Sequence, residues 1–261
     1  MERFLLFSRS RYHILRLLKM CYCFVRVFEA EFIEGMFMLK RKPPAGNARR
    51  VAPIDKNSRG TFVNKAGRTV QFESFAERTL SLRFERDPKV LDYGSQPVQF
   101  TFQDKQDKWH SYTPDFQVWK CDGTVEIHEV TRTERYSHPR MSQREAAADD
   151  LCRVEGWTYI VHTEETLPQP AEAANLLGLW RYRPTCYADS AVTTAARELL
   201  RHPMPFGKLL SLLSSRLVLA EPYLVPCLGH LLWHGTLSTD FNILIVEDGN
   251  ILPDISIWFP Q

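Results

Sequence analysis

The chain has 261 residues, with 33 Lys plus Arg against 31 Asp plus Glu, a formal net charge of +2 and 44% hydrophobic residues. That length and composition suit a globular chain of one large or two modest domains, each with its own core, and exclude a mini-protein that needs disulfide staples. No run of about 18 uncharged apolar residues occurs, which argues against a membrane span.

The nearest such run, residues 1–37, is broken by Arg9, Arg11, Arg16, Lys19 and Arg26. It fits no helix that packs on later segments, so it is set aside as an N-terminal extension, with Met36 or Met38 as alternative starts. The six cysteines, Cys21, Cys23, Cys121, Cys152, Cys186 and Cys227, are dispersed, and no signal peptide is evident. Both points lead to the expectation of a cytoplasmic protein.

Residues 38–68 hold Lys40, Arg41, Lys42, Arg49, Arg50, Lys56, Arg59, Lys65 and Arg68 against the single Asp55, a local net charge of +8, whereas residues 69–261 carry −8. Pro43, Pro44, Gly46 and Gly60 interrupt this stretch. It therefore reads as an extended basic arm suited to a phosphate backbone, or as a solvated tail.

From Phe72 the pattern becomes helical, with Phe72, Phe75, Ala76, Leu80 and Phe84 on one stripe and a stop at Asp87-Pro88. Val98, Phe100 and Phe102 alternate as a strand, as do Phe116 and Val118, and Asp122-Gly123 turns the chain into Val125–Val130. These three strands are expected to form a meander. A second helix is expected from Pro139 to Glu155, with Met141, Ala148, Leu151 and Cys152 inward and Gly156 at its end. Trp157–Val161 reads as a short buried strand.

The order is α/β, an αβββαβ core ending near His162. Leu167–Pro170 is the candidate linker. Beyond it, Ala171–Tyr182, Ser190–Arg201, Phe206–Ser214 and Tyr223–Trp233 are helical, and Phe241–Val246 is β-like. Short helices followed by a two-stranded element suit a winged-helix-like module. The expected organisation is 1–37 extension, 38–68 basic arm, 69–166 first domain and 171–261 helical C-terminal domain.

Chemistry concentrates in Tyr112-Thr113-Pro114-Asp115-Phe116 and Glu126-Ile127-His128-Glu129-Val130-Thr131. Antiparallel pairing through the Asp122-Gly123 turn would bring Asp115 and Glu129 together, where they repel unless a cation lies between them. Oxygen ligands favour a hard ion such as Mg²⁺ or Mn²⁺. Strand alternation places Ile127, Glu129 and Thr131 on one face, and Glu126, His128 and Val130 on the other.

Pro114-Asp115 with Glu129-x-Thr131 resembles the proline-aspartate, glutamate-x-lysine signature of restriction-endonuclease-like nucleases, with the last position altered. More specifically, Phe72-Glu73-Ser74-Phe75-Ala76-Glu77, Asp87-Pro88-Lys89-Val90, Gln96-Pro97, Tyr112-Thr113-Pro114-Asp115-Phe116 and Glu129-Val130 resemble, in order and spacing, TnsA-type endonuclease subunits of heteromeric transposases. The likeness runs from about Gly60 to Thr166. It implies a restriction-endonuclease-like αβββαβ fold and a Mg²⁺-dependent nuclease that hydrolyses DNA at the 5′ ends of a mobile element, with Mn²⁺ as substitute ion. The implied partners are double-stranded DNA at transposon ends, a DDE-type transposase subunit and an AAA+ ATPase regulator.

By the same resemblance Glu77, Asp115 and Glu129 are metal ligands, and Thr131 stands where the family usually has lysine. A threonine hydroxyl can position water but brings no positive charge. Arg132, Arg135 and His138 are the nearby alternatives. A catalytically silent DNA-binding or docking subunit is the rival reading, and a stand-alone repair or restriction nuclease a second one. Glu77 also has a purely structural reading, since Ser74-x-x-Glu77 is a capping box. His128 reads as a core residue, and Cys227, His230 and His234, on an apolar helix without a fourth ligand, read as core rather than as a zinc site.

Overall fold

The computed structural model describes residues 59–104, 107–136 and 139–260, all within the second of two units, Met38–Gln261. Lys40, Arg41, Lys42, Arg49, Arg50 and Lys56 of the basic arm, and His138, lie outside the described residues.

Strands β1 (Gly60–Val63) and β2 (Thr69–Phe72) form an antiparallel hairpin. Its turn is organised by Asn64, whose Oδ1 accepts the N–H groups of Ala66 and Arg68 at 3.0 and 2.9 Å and whose amide donates to the Tyr93 carbonyl at 2.6 Å. Gly67 supplies the left-handed backbone that the reversal needs, at φ +80°. The extended-arm expectation fails for this part of the arm. Val70 and Phe72 are buried, Phe62 packs against Tyr93 and Trp180, and Lys65 and Arg68 bond to Asp87 and Asp92 of the acidic body. Burial of the apolar face, together with the Arg68–Asp92 ion pair and the Lys65 bond to the Asp87 carbonyl, outweighs the local Gly and charge content.

Helix α1 (Phe75–Arg86) is capped by Ser74 and ends at Asp87, as its spacing predicts. Its first turn differs from expectation: Phe72 belongs to β2, and Phe75 is exposed. Leu80 and Phe84 pack on the sheet with Val90, Tyr93, Phe116 and Val118, while Leu82 joins the C-terminal core.

The main sheet runs β3 (Val90–Ser95), β6 (Phe116–Lys120), β7 (Val125–Val130), β8 (Thr158–His162), with β7 and β8 parallel and the other pairs antiparallel. The meander therefore begins with β3 and not with Val98–Phe102. A register shift between Val90 and Asp92 breaks the alternation that would mark β3 in the sequence. Phe100 and Phe102 instead lie in β4 (Phe100–Gln103), paired only with β5 (Trp109–Tyr112).

The short α2 (Thr133–Tyr136) leads to α3 (Pro139–Glu155), whose bounds agree with the sequence reading. Ala147, Ala148, Leu151 and Cys152 of α3 pack with Ile127, Val98, Phe100, Phe102 and Tyr112. The sheet is thus covered by α1 on one face and by α3 with the β4–β5 hairpin on the other. Strand β8 is the sheet edge and only half-buried, not the short buried strand expected.

Helices α4 (Pro170–Leu179), α5 (Ser190–Leu199), α6 (Phe206–Leu217) and α7 (Glu221–Trp233) form the C-terminal core. Among them run β9 (Met204–Pro205), β10 (Ser238–Thr239), β11 (Val246–Glu247), β12 (Asn250–Ile251) and β13 (Ser256–Trp258), with β10, β13 and β9 in one sheet and β11 with β12 in a hairpin. Phe241–Ile245 is not a strand. The fully buried Asn175 donates to the Phe241 and Ile243 carbonyls at 3.2 and 2.7 Å and accepts the Ile245 N–H at 2.9 Å, supplying the backbone partners a neighbouring strand would have given.

On α7, Cys227 donates to the Tyr223 carbonyl, while ring nitrogens of His230 and His234 lie 2.8 and 3.0 Å from the carbonyls of Tyr182 and Arg183. These are packing and turn-satisfying contacts.

Candidate active site

The site forms where β6 and β7 open. Phe116 pairs with His128, so Asp115, one residue before, and Glu129, one residue after, meet at the end of this ladder. Asp115 is fixed by the backbone: its Oδ2 accepts the Val130 N–H at 2.7 Å, and its carbonyl accepts the N–H of Gln96 at 2.8 Å. Gln96 adopts φ 45°, a left-handed conformation uncommon for a residue with a side chain. Its amide donates to Glu73 at 3.1 Å, tying the Asp115 turn to the start of α1.

Burial pushes the Asp115 carboxyl well above its ordinary range, and the nearby Glu129 and Glu77 carboxylates add to the rise. Glu129, also buried, is raised by burial as well, against the opposing pull of Arg144 and of the Tyr112 hydroxyl. A pair of acids with raised proton affinity, one buried and one half-buried, is the electrostatic condition that an added cation relieves. These two side chains suit a hard divalent ion by donor type. Among the described residues, however, no set of three His, Cys, Asp or Glu side chains is arranged to hold a metal ion.

Glu77 explains part of this. Ser74 Oγ accepts the Glu77 N–H at 3.1 Å and donates to Glu77 Oε1 at 2.8 Å, while Glu77 Oε2 accepts the Glu73 N–H at 2.7 Å. The carboxylate thus caps α1, one residue further back than in the simple capping box. It reaches the site electrostatically, through Asp115.

Both oxygens of Glu129 are engaged. Oε2 accepts the Tyr112 hydroxyl at 2.5 Å, and Oε1 accepts Nη2 of Arg144 at 2.8 Å. The same nitrogen donates to Glu145 Oε1 at 2.5 Å, and the guanidinium lies 4.3 Å from the Tyr112 ring centroid. Burial drives the Tyr112 phenol well above its usual range, and the Glu129 carboxylate drives it further. The Tyr159 hydroxyl lies 3.0 Å from that of Tyr112.

Thr131 follows β7 and is half-buried. Its N–H donates to the His162 carbonyl at 2.9 Å. Arg132 and Arg135 are exposed. Among the described residues, the cation that reaches the carboxylates is Arg144, on α3, which sequence reasoning missed. A signal existed: Arg144 and Glu145 occupy the step between Met141 and Ala148 on the inward stripe, and a charged pair on an apolar stripe needs buried partners. His128 is buried on the opposite face, its ring centroid 4.8 Å from that of Phe84, which agrees with a core role.

Of the nine basic residues assigned to the arm, Arg59, Lys65 and Arg68 are described. The backbone N–H of Lys65 donates to Glu85 Oε2 at 2.9 Å and its Nζ to the Asp87 carbonyl at 2.7 Å, while Arg68 pairs with Asp92. No described helix is long and apolar enough to cross a membrane.

Residues 87–164 match the family model described as the TnsA-like endonuclease N-terminal domain, which supports a nuclease of the transposase type. The matched stretch contains Asp115, Glu129, Thr131 and Arg144 and begins after Glu77. No curated protein matches the chain.

Proposed function

We propose that this chain is the DNA-cleaving subunit of a heteromeric transposase, acting in the cytoplasm on double-stranded DNA at the 5′ ends of a mobile element. Its partners in this reading are a DDE-type transposase subunit and an AAA+ ATPase regulator. The observation that carries the reading is the half-buried Asp115 beside the buried Glu129 at the open end of β6 and β7, inside the segment that matches the endonuclease family.

Asp115 and Glu129 would hold Mg²⁺, or Mn²⁺ in its place, with Glu77 as a third oxygen donor once its capping bonds open. Such an ion polarises the phosphodiester and activates water for its hydrolysis. The chain's own contribution is positional. The Val130 N–H fixes Asp115, Tyr112 and Arg144 orient Glu129, and the Thr131 hydroxyl would position water. Lys40, Arg41, Lys42, Arg49, Arg50, Lys56, Arg59, Lys65 and Arg68 would add sequence-independent backbone contacts, the last two only after leaving the Asp87 carbonyl and the Asp92 carboxylate.

In the same reading residues 69–166 form a restriction-endonuclease-like domain and residues 171–261 a winged-helix-like one. The order helix, strand, two helices, strand, hairpin, strand, with β13 between β9 and β10, supports the second assignment. Helix α7 carries no Lys or Arg, and the hairpin tip carries Glu247 and Asp248. Those features favour docking to the ATPase partner over DNA contact for this module.

One observation favours the rival, a catalytically silent docking subunit: both Glu129 oxygens are already bonded, to Tyr112 and Arg144. Calorimetric titration with Mn²⁺ separates the two. A nuclease site binds Mn²⁺, and Asp115→Asn and Glu129→Gln each abolish binding. A folded wild type without binding overturns the nuclease reading.

A further inference from the structure

We propose that Arg144 is the site's phosphate-binding cation, delivered from α3 to offset the charge that Thr131 does not bring. The inference rests on the metal-dependent nuclease reading above and names a residue which that reading had given only an orienting part.

Three observations carry it. First, the guanidinium is held from two sides and not merely attracted: Nη2 bridges Glu129 Oε1 and Glu145 Oε1, Nε lies 3.2 Å from Glu145 Oε1, and one face rests on the Tyr112 ring. A planar donor fork locked this way is preorganised, so little is lost in ordering it when an anion arrives. Second, it is not closed off. The side chain keeps 19% of its exposure, and Nη1 makes no hydrogen bond to a described residue. Third, it has two carboxylate partners. Nη2 pairs with Glu129 at 2.8 Å and with Glu145 at 2.5 Å, so the loss of one partner to a cation leaves it held by the other.

A divalent ion drawing on Glu129 would therefore leave Arg144 anchored on Glu145. A DNA phosphate arriving beside Glu129 would then meet a donor that Glu145 holds in place. Arg132 and Arg135, exposed on the segment after β7, have no such anchor among the described residues.

The test uses the full chain with two probes: Mn²⁺ alone by calorimetry, and a fluorescent DNA duplex by anisotropy in Ca²⁺, where hydrolysis is suppressed. Arg144→Gln should bind Mn²⁺ more tightly, having lost a competing charge, and bind the duplex about 10- to 100-fold more weakly, the loss of one charge-assisted contact. Thr131→Lys placed in the Arg144→Gln background should restore at least tenfold of that affinity, which no merely structural role of Arg144 predicts. Should Arg144→Gln not fold, Arg144→Lys takes its place and should keep duplex affinity within a few-fold of wild type. Tighter Mn²⁺ binding with unchanged duplex affinity would make Arg144 a structural counterion and overturn the inference. So would a folded double variant without recovery, or a large loss of duplex affinity in Arg144→Lys. A wild type that binds no Mn²⁺ is the separate failure of the nuclease reading.

Discussion

The Oδ2 atom of Asp115 accepts the backbone N–H of Val130 at 2.7 Å, so the carboxylate is held at the end of the strand that carries Glu129. A bond of this kind favours the charged form, yet burial and the neighbouring carboxylates win, and the proton affinity of Asp115 rises well above normal.

The pH dependence follows from that direction. An acid whose proton is held more tightly in the folded chain than in the unfolded one costs stability as pH rises from the unfolded value, about 4, through the raised folded value. Asp115→Asn removes that cost. Its Tm should exceed that of wild type at neutral pH, and the gain should vanish as pH approaches 4. A variant less stable than wild type at pH 7 would show that the buried charge is already compensated.

Histidines 128 and 162 act in the opposite sense. Burial lowers their pKa to about 3 and about 4, from an ordinary 6.5. The unfolded chain therefore takes up protons first, and stability is lost as pH falls from about 6.5 toward 4, by on the order of a few kcal/mol. His128→Phe keeps an aromatic ring against Phe84 and should flatten this acid limb in thermal melts. An unchanged limb would assign the loss to other groups.

Tyr112→Phe removes the hydroxyl that donates to the buried Glu129 Oε2. Leaving that oxygen less satisfied should lower stability by about 1–3 kcal/mol, read by urea unfolding at pH 7. It should also tighten Mn²⁺ binding, because one oxygen of Glu129 is freed. Destabilisation accompanied by weaker Mn²⁺ binding would instead make the hydroxyl a positioning group for the bound state.

Asn175→Ala leaves the Phe241 and Ile243 carbonyls and the Ile245 N–H without their buried partner. The expected loss is about 3 kcal/mol, or roughly 6–12 °C in Tm. Calorimetric melting measures it, and a shift within 2 °C would mean that water replaces the amide.

What the amino-acid order determined alone was the part decided within one or two turns of chain. Ser74 and Glu77 cap α1 because they are three residues apart, α3 ends at Gly156 because glycine takes φ +72° there, and Cys227, His230 and His234 sit in an apolar helical run without a fourth ligand. The approach of Asp115 to Glu129 was also legible, since a short turn fixes the register of the two strands. Tertiary structure decided the rest. Whether Val98–Phe102 joined the main sheet depended on a bulged β3 whose alternation is broken, and whether Phe241–Ile245 became a strand depended on an amide from α4. The folding of Lys65 and Arg68 onto the body depended on where Phe62 and Val70 were buried. Arg144 entered the carboxylate pair only because α3 packs over the β7 face that bears Glu129. Contacts of that kind are selected by which apolar faces meet, and no local spacing encodes them.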